Sequence, residues 1–209
     1  RTPEIIAQFL PFSVLLGTLV GGPIGIFLAT SRRGELFAAP WLNKVSSIVV
    51  NAARSIPFII LAVAIVPFTR ALAGTSIGTT AAMVPLTISA IPFIARIVEG
   101  AIRQVEPGLI EAAQAMGARP FQIIRKVLVP EAMSAIINGL TLTAISLIGY
   151  SAMVGAIGGG GLGDVGIRYG YQRFRPDVML TVVIVLIALV QIVQLAGDFL
   201  AARFDKRHR

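Results

Sequence analysis

Five stretches of the chain stay apolar long enough to cross a bilayer, which takes ~20 residues as a helix. They run roughly from 9 to 30, 48 to 68, 77 to 97, 135 to 157 and 178 to 200. The first and third carry glycines and prolines that would weaken a helix in water. Membrane helices tolerate both, and small residues let two helices approach closely. The fifth, VMLTVVIVLIALVQIVQLAGDFL, covers about 35 Å as a helix, enough to span with some tilt. The pattern predicts an all-α integral membrane protein, with one transmembrane domain over residues 1–209.

The longest connection lies at about 98–134, between the third and fourth spans, and its pattern is helical rather than disordered. Pro107 suits a helix start, where a missing N–H costs nothing. Leu109, Ala113 and Met116 recur at helical spacing on one face. Gly117 is placed to end that helix in a left-handed cap. Pro120 opens a second helix, with Phe121, Ile124, Val127 and Leu128 on its apolar face and Gln122, Arg125 and Lys126 on the other. Pro130 is expected to break or kink the path into the fourth span. The segment reads as helix, sharp turn, helix. A pair of helices lying on anionic lipid is the alternative. The small residues Ala112, Ala113, Ala115 and Gly117 beside Glu111 favour close approach by another protein instead.

Of 209 residues, 56% are apolar and only 13% charged, about half the charge of a soluble domain. The net charge of +8 suggests nucleic acid in a soluble protein, but membrane topology explains it here. With the C-terminal tail in the cytoplasm, five spans place the N-terminus outside. Thirteen basic residues then fall on the inner side (Arg32, Arg33, Lys44, Arg54, Arg96, Arg103, Arg119, Arg125, Lys126, Arg203, Lys206, Arg207 and Arg209). Five fall on the outer side: Arg1, Arg70, Arg168, Arg173 and Arg175. Cytoplasmic loops collect Lys and Arg, so this orientation is expected over its reverse. No cleavable signal peptide is expected in residues 1–6.

Catalysis finds little to work with. The chain has no cysteine, and its one histidine is His208. No acid or base stands in the middle of the predicted spans, which speaks against an ion-coupled carrier and an intramembrane protease. Arg54 is expected near the inner interface as a snorkelling side chain. Arg96, Glu99 and Arg103 share a helical spacing and are expected to form exposed pairs of little consequence. Residues 158–163, GGGGLG, contain G-x-G-x-x-G but follow a membrane helix, not a strand, so no dinucleotide site is expected. A flexible outer turn, allowing close backbone approach or hinging, is expected there instead. Tyr150 and Met153, bulky in a run of small residues, are candidates for an apolar gate, with Ser146 and Ser151 beside them on the pathway. Ordinary helix packing is the alternative. For Thr87, Ser89, Asn138, Thr141 and Thr143, hydrogen bonding within the bundle is favoured over lining the pathway. Arg168, Tyr169, Tyr171, Arg173 and Arg175 fill the outer loop, as an interfacial belt or a dock for a partner.

Residues Glu111, Ala112, Ala113, Gly117, Val127, Val129 and Pro130 carry a pattern that resembles the EAA loop of ABC importer permeases. Valine stands at both aliphatic positions, where that family more often has Ile and Leu. ARSIPFIILAVAIVPFTR, GTSIG, VPLTISAIPFIARIVE and GYSAMVGAIGGGGLGDVGIRYGY extend the resemblance to the five-span permeases of methionine importers, over about residues 15–205. The resemblance implies a type I ABC importer permease fold and a bacterial inner-membrane location. Two copies would form the pathway, above two separate ATPase subunits that use ATP and magnesium. A periplasmic or lipid-anchored binding protein would deliver methionine, D- or L-, or another small amino acid. Glu111, Ala112, Ala113, Met116, Gly117, Pro120, Arg125 and Pro130 would couple to the ATPase. This chain itself is expected to bind no cofactor, metal or nucleic acid.

Overall fold

The computed structural model describes residues 2–32 and 35–205, with side-chain surroundings from residue 10 onward except at 156 and 157. The basic residues Arg1, Arg33, Lys206, Arg207 and Arg209, and His208, lie outside these. The described residues form α1 (Thr2–Thr30), α2 (Pro40–Ser55), α3 (Phe58–Ala64), α4 (Val66–Ala73), α5 (Thr79–Arg103), α6 (Pro107–Ala115), α7 (Pro120–Ile123), α8 (Val129–Val154), α9 (Gly161–Val165) and α10 (Pro176–Phe204). π-Helical turns at Ile124–Leu128, Gly155–Gly159 and Gly166–Tyr171 join neighbouring helices. Proline opens α2, α6, α7 and α10 at the first position, where its missing N–H is no loss.

Four helices are long and apolar enough to cross a membrane: α1 from Leu10, α5, the continuous run Pro120–Val154, and α10. Their inner contacts are set by residues without side-chain bulk. Gly17, Gly21 and Gly25 face α5 one turn apart. A Cβ on Gly21 would stand 2.5 Å from the Ile91 carbonyl oxygen, and one on Gly17 2.9 Å from the Ala90 Cβ. In lipid no hydrophobic force draws helices together, so this close backbone packing is what holds α1 on α5. The same logic seats Gly139 of α8 against Ile97 and Gly197 of α10 against Thr141. One core of Ala90, Ile94, Val98, Leu147 and Ile148 results. Around it α10 exposes Leu180, Ile184, Ile187, Leu195 and Phe199, a surface that suits lipid.

The second expected span, 48 to 68, is not one helix. α2 stops at Ser55, and Ile56 is extended (φ −78°, ψ 123°), as the residue before a proline prefers. α3 then leaves at 98° to α2, and α4 follows after Ile65. Pro57 is the physical cause: it cannot donate to the helix and its ring collides with the preceding turn. α2 and α3 together make a fifth, broken span. Pro130, expected to kink the path into the fourth span, does not interrupt it. The turn before it widens, with the Val129 N–H reaching the Ile124 carbonyl five residues back, and such π-turns are how a helix absorbs a local misfit.

Candidate functional site

The segment between α5 and α8 is a docked hairpin of short helices. α6 ends in a left-handed glycine cap: Gly117 has φ 76°. Its N–H donates to the Gln114 carbonyl at 2.9 Å, and the Ala118 N–H reaches back to Ala113 at 3.0 Å. These are the two bonds of a Schellman motif. At the start of α7 the Gln122 side chain accepts the Arg119 N–H at 2.8 Å, satisfying a donor the helix start leaves free. The inner side of the hairpin belongs to the core of the bundle. Val105, Ala113, Ile123, Ile124 and Leu128 are buried continuously with Ile102 of α5 and Ala132 of α8.

The outer side is bare. Met116 is 82% and Phe121 68% exposed, on either side of the Gly117 turn. Leu109, Ala112, Glu111, Pro120, Arg125 and Lys126 are exposed as well, while Pro130 is half-buried. The face expected from Leu109, Ala113 and Met116 is thus divided. Ala113, with half-buried Ile110, turns inward, and Leu109 and Met116 turn out. Phe121 likewise leaves the apolar face assigned to it, which Ile123 completes. Short amphipathic helices of one or two turns do not fix their own rotation; the bundle they rest on does. A cleft of about 360 Å³ between α6 and the ends of α1 and α5 is lined by Glu111, Gln114, Glu35 and Arg103.

Glu99 corrects the expectation of exposed charge pairs. It is buried, and its carboxylate accepts a hydrogen bond from Arg96 and pairs in charge with Arg103 at 3.1 Å and Arg32 at 3.6 Å. Arg96 also donates to the Ser47 carbonyl at 3.0 Å and to its hydroxyl at 2.6 Å. Asn43, buried, donates to the Leu28 carbonyl at 2.8 Å and to the Ser31 hydroxyl at 2.9 Å. These bonds tie the end of α1, α2 and α5 together beside the hairpin. The i, i+3 and i, i+4 spacing of the trio was visible; its burial by α1 and α2 was not.

Tyr150 stacks on Phe58, with ring centroids 4.5 Å apart and planes 6° from parallel. It faces the break between α2 and α3. Met153 is 49% exposed one turn further on. The hydroxyls of Ser146 and Ser151 donate to the carbonyls of their own helix, Leu142 at 2.9 Å and Ile148 at 2.7 Å. Ser89, Thr141 and Thr143 do the same, and Thr87 reaches Ser13 of α1 at 3.2 Å. Of these bonds only that of Thr87 joins two helices; the others stay within one helix and leave the oxygen free to accept. Arg54 is exposed, and its guanidinium lies 5.0 Å over the ring of Phe93 of α5.

In the glycine-rich segment Gly155–Gly159 is π-helical, Gly158, Gly160 and Gly161 have positive φ, and α9 begins at once. A Cβ on Gly163 would run into the Ala152 backbone, which is the close backbone approach expected here. The Gly78 N–H binds the Gly158 carbonyl at 3.0 Å, pinning the segment to the start of α5. In the following loop Arg168 pairs with Asp164 at 2.9 Å, Arg173 lies 4.6 Å over Tyr169, and Arg175 pairs with Asp177 at 2.7 Å. The hydrogen bond from Arg175 to Asp177, and then the charge of that carboxylate, raise the Arg175 guanidinium above its ordinary range. Phe174, 86% exposed with φ 52°, had no signal in the hydropathy pattern.

A broken five-span bundle with a core-anchored helical hairpin at one end defines a transport component of a membrane. Residues 21–209 match the family of inner-membrane components of binding-protein-dependent transport systems, and the chain belongs to it. The probable D-methionine transport system permease protein MetI of Vibrio cholerae serotype O1 is 53% identical over 192 residues, 92% of this chain and 85% of that protein. The methionine import system permease protein MetP of Bacillus subtilis (strain 168) is 46% identical over 180 residues, 86% and 81% of the two chains. A chain of the MetNI methionine ABC transporter in an inward-facing conformation superposes with a TM-score of 0.96 at 48% identity, over 99% of this chain and 95% of that one. An amino acid ABC transporter chain, at TM-score 0.66 and 22% identity over 98% and 94%, shares the fold alone.

Proposed function

We propose that the chain is the membrane-spanning subunit of an ATP-driven methionine importer, working as two copies above two ATPase subunits. The carrying observation is the hairpin of α6 and α7: rooted in the core on one side, and presenting Met116, Phe121 and exposed Glu111 on the other. A rigid lever with a bare tip transmits motion from a partner into the spans. The methionine permeases at 46–53% identity support the substrate. The ATPase binds and hydrolyses ATP with magnesium; this chain supplies the pathway.

The hairpin, Arg103 and Arg119 face the cytoplasm with the C-terminal tail, and the loop from Arg168 to Arg175 faces outward, where a methionine-binding protein docks on its basic and aromatic side chains. Closure of the ATPase pair on nucleotide displaces the hairpin and rocks α5 and α8, which alternates access to the pathway. Tyr150 and Met153 form its narrow point.

Purification in mild detergent from native membranes, with mass determination of the assembly, tests this reading. Two copies with two ATPase subunits are expected, with ATP-driven methionine uptake after reconstitution with the binding protein. Glu111→Lys is expected to release the ATPase, and Met153→Ala to raise hydrolysis without binding protein. A stable assembly with no ATPase, or uptake by this chain alone, overturns it.

A further inference from the structure

The break in the second span encloses a cavity of about 190 Å³. Phe58, Phe93, Tyr150 and Ser89 wall it, and Arg54 is its one charged lining residue. Phe93 stands 14 residues from Thr79 and 10 from Arg103 along α5, or about 21 and 15 Å from the helix ends at ~1.5 Å per residue. The guanidinium lies over that ring, three residues short of Arg96, and is exposed on the open side of the bundle. A cation within an apolar span is costly unless it faces a cavity, a partner or a solute pathway. Among the described residues no carboxylate lies within ion-pair distance of Arg54; its recorded partner is the face of Phe93. By contrast, Arg32, Arg96 and Arg103 all share Glu99. Arg54 lines the cavity without such a partner.

We infer that this cavity is a transit site for a small amino acid, with Arg54 receiving its carboxylate. The inference rests on the transport reading above. A guanidinium takes a carboxylate through two parallel N–H donors. The rings of Phe93, Tyr150 and Phe58 offer an apolar lining to the side chain, and aromatic rings make favourable contacts with a thioether sulfur. The volume lies below the ~300 Å³ at which drug-sized sites begin, so it admits one small solute. A single anion contact also binds weakly enough for release, as a pathway requires.

The chain has no cysteine, so a thiol placed in the cavity reports on it alone. Ser55 lines the cavity and is exposed. In the purified permease–ATPase complex, without binding protein, modification of Ser55→Cys by a methanethiosulfonate reagent is followed by the mass of this chain. L-Methionine is expected to slow modification, and L-methioninol, which lacks the carboxylate, to need at least a tenfold higher concentration. Adding Arg54→Gln should erase that difference, and Arg54→Lys should keep part of it. Modification that methionine does not slow, or slows no better than methioninol, overturns the site; so does protection that survives Arg54→Gln. Methionine uptake by the reconstituted wild-type complex separates the two readings. Uptake without Arg54-dependent protection removes only this site, and absence of uptake removes the methionine assignment itself.

Discussion

Gly117 shows how much one backbone position decides. Its φ of 76° lies where a side chain costs about 1–2 kcal/mol, and both bonds of the cap depend on that turn. No neighbouring atom stands within 4 Å of a Cβ added there, so the cost is conformational rather than a clash. Gly117→Asp should therefore leave the bundle inserted and misdirect Met116 and Phe121 at the tip. Uptake is expected to fall several-fold or more at near-normal amounts of protein in the membrane, measured by transport and immunoblot together. Normal uptake would remove the hairpin from the coupling step. Glu99 makes the complementary point. A buried carboxylate shared by three guanidiniums adds little net stability by itself, yet it specifies how α1, α2 and α5 meet.

At the scale of elements, helix against helix is settled by missing side chains. Gly17, Gly21 and Gly25 form a groove one residue wide, into which the α5 backbone sinks. A Cβ on Gly25 meets both the Ala95 carbonyl and Val98, which cannot withdraw because both residues are buried. Gly25→Val is expected to separate α1 from α5 and lower the melting temperature of the purified complex by several degrees. Gly22 faces open space, and Gly22→Ala on the same helix should leave melting unchanged. Equal effects from the two would mean that helix propensity, not packing, explains the first. The hairpin follows the same rule in reverse: where α6 and α7 have side chains of bulk, these either enter the core or stand bare.

For the whole molecule, the arrangement of charge predicts the orientation. Even with Arg54 left out of the count, the excess of inward Lys and Arg decides. Single thiols at opposite ends test this directly in a chain without native cysteine. Met116→Cys should react with a membrane-impermeant maleimide only in inside-out vesicles, and Phe174→Cys only in intact spheroplasts. Both positions are more than four-fifths exposed in this chain, and vesicles stripped of the ATPase keep Met116 uncovered, so a missing reaction reports the side of the membrane. Reaction of Met116→Cys from outside would invert the chain and remove the cytoplasmic hairpin with it.

The sequence by itself determined the all-helical class, the apolar stretches, the prolines that open helices, the Gly117 cap and the loop pattern of the importer family. Each is a local property, written in hydropathy, in the fixed φ of proline or in the freedom of glycine. What depended on contacts between distant residues emerged only in three dimensions. Residues 48–68 are mostly apolar, so hydropathy reads one span, while Pro57 breaks it into two pieces set at 98°, with the ring of Tyr150 stacked on Phe58 beyond the break. Glu99 was legible as a member of a spaced trio, but α1 and α2 supply the walls that bury it. Arg54 was legible as a basic residue just before SIPF, but only the packing of α2 on α5 sets it over Phe93. Composition records what a residue prefers, and the tertiary fold decides which neighbours it meets.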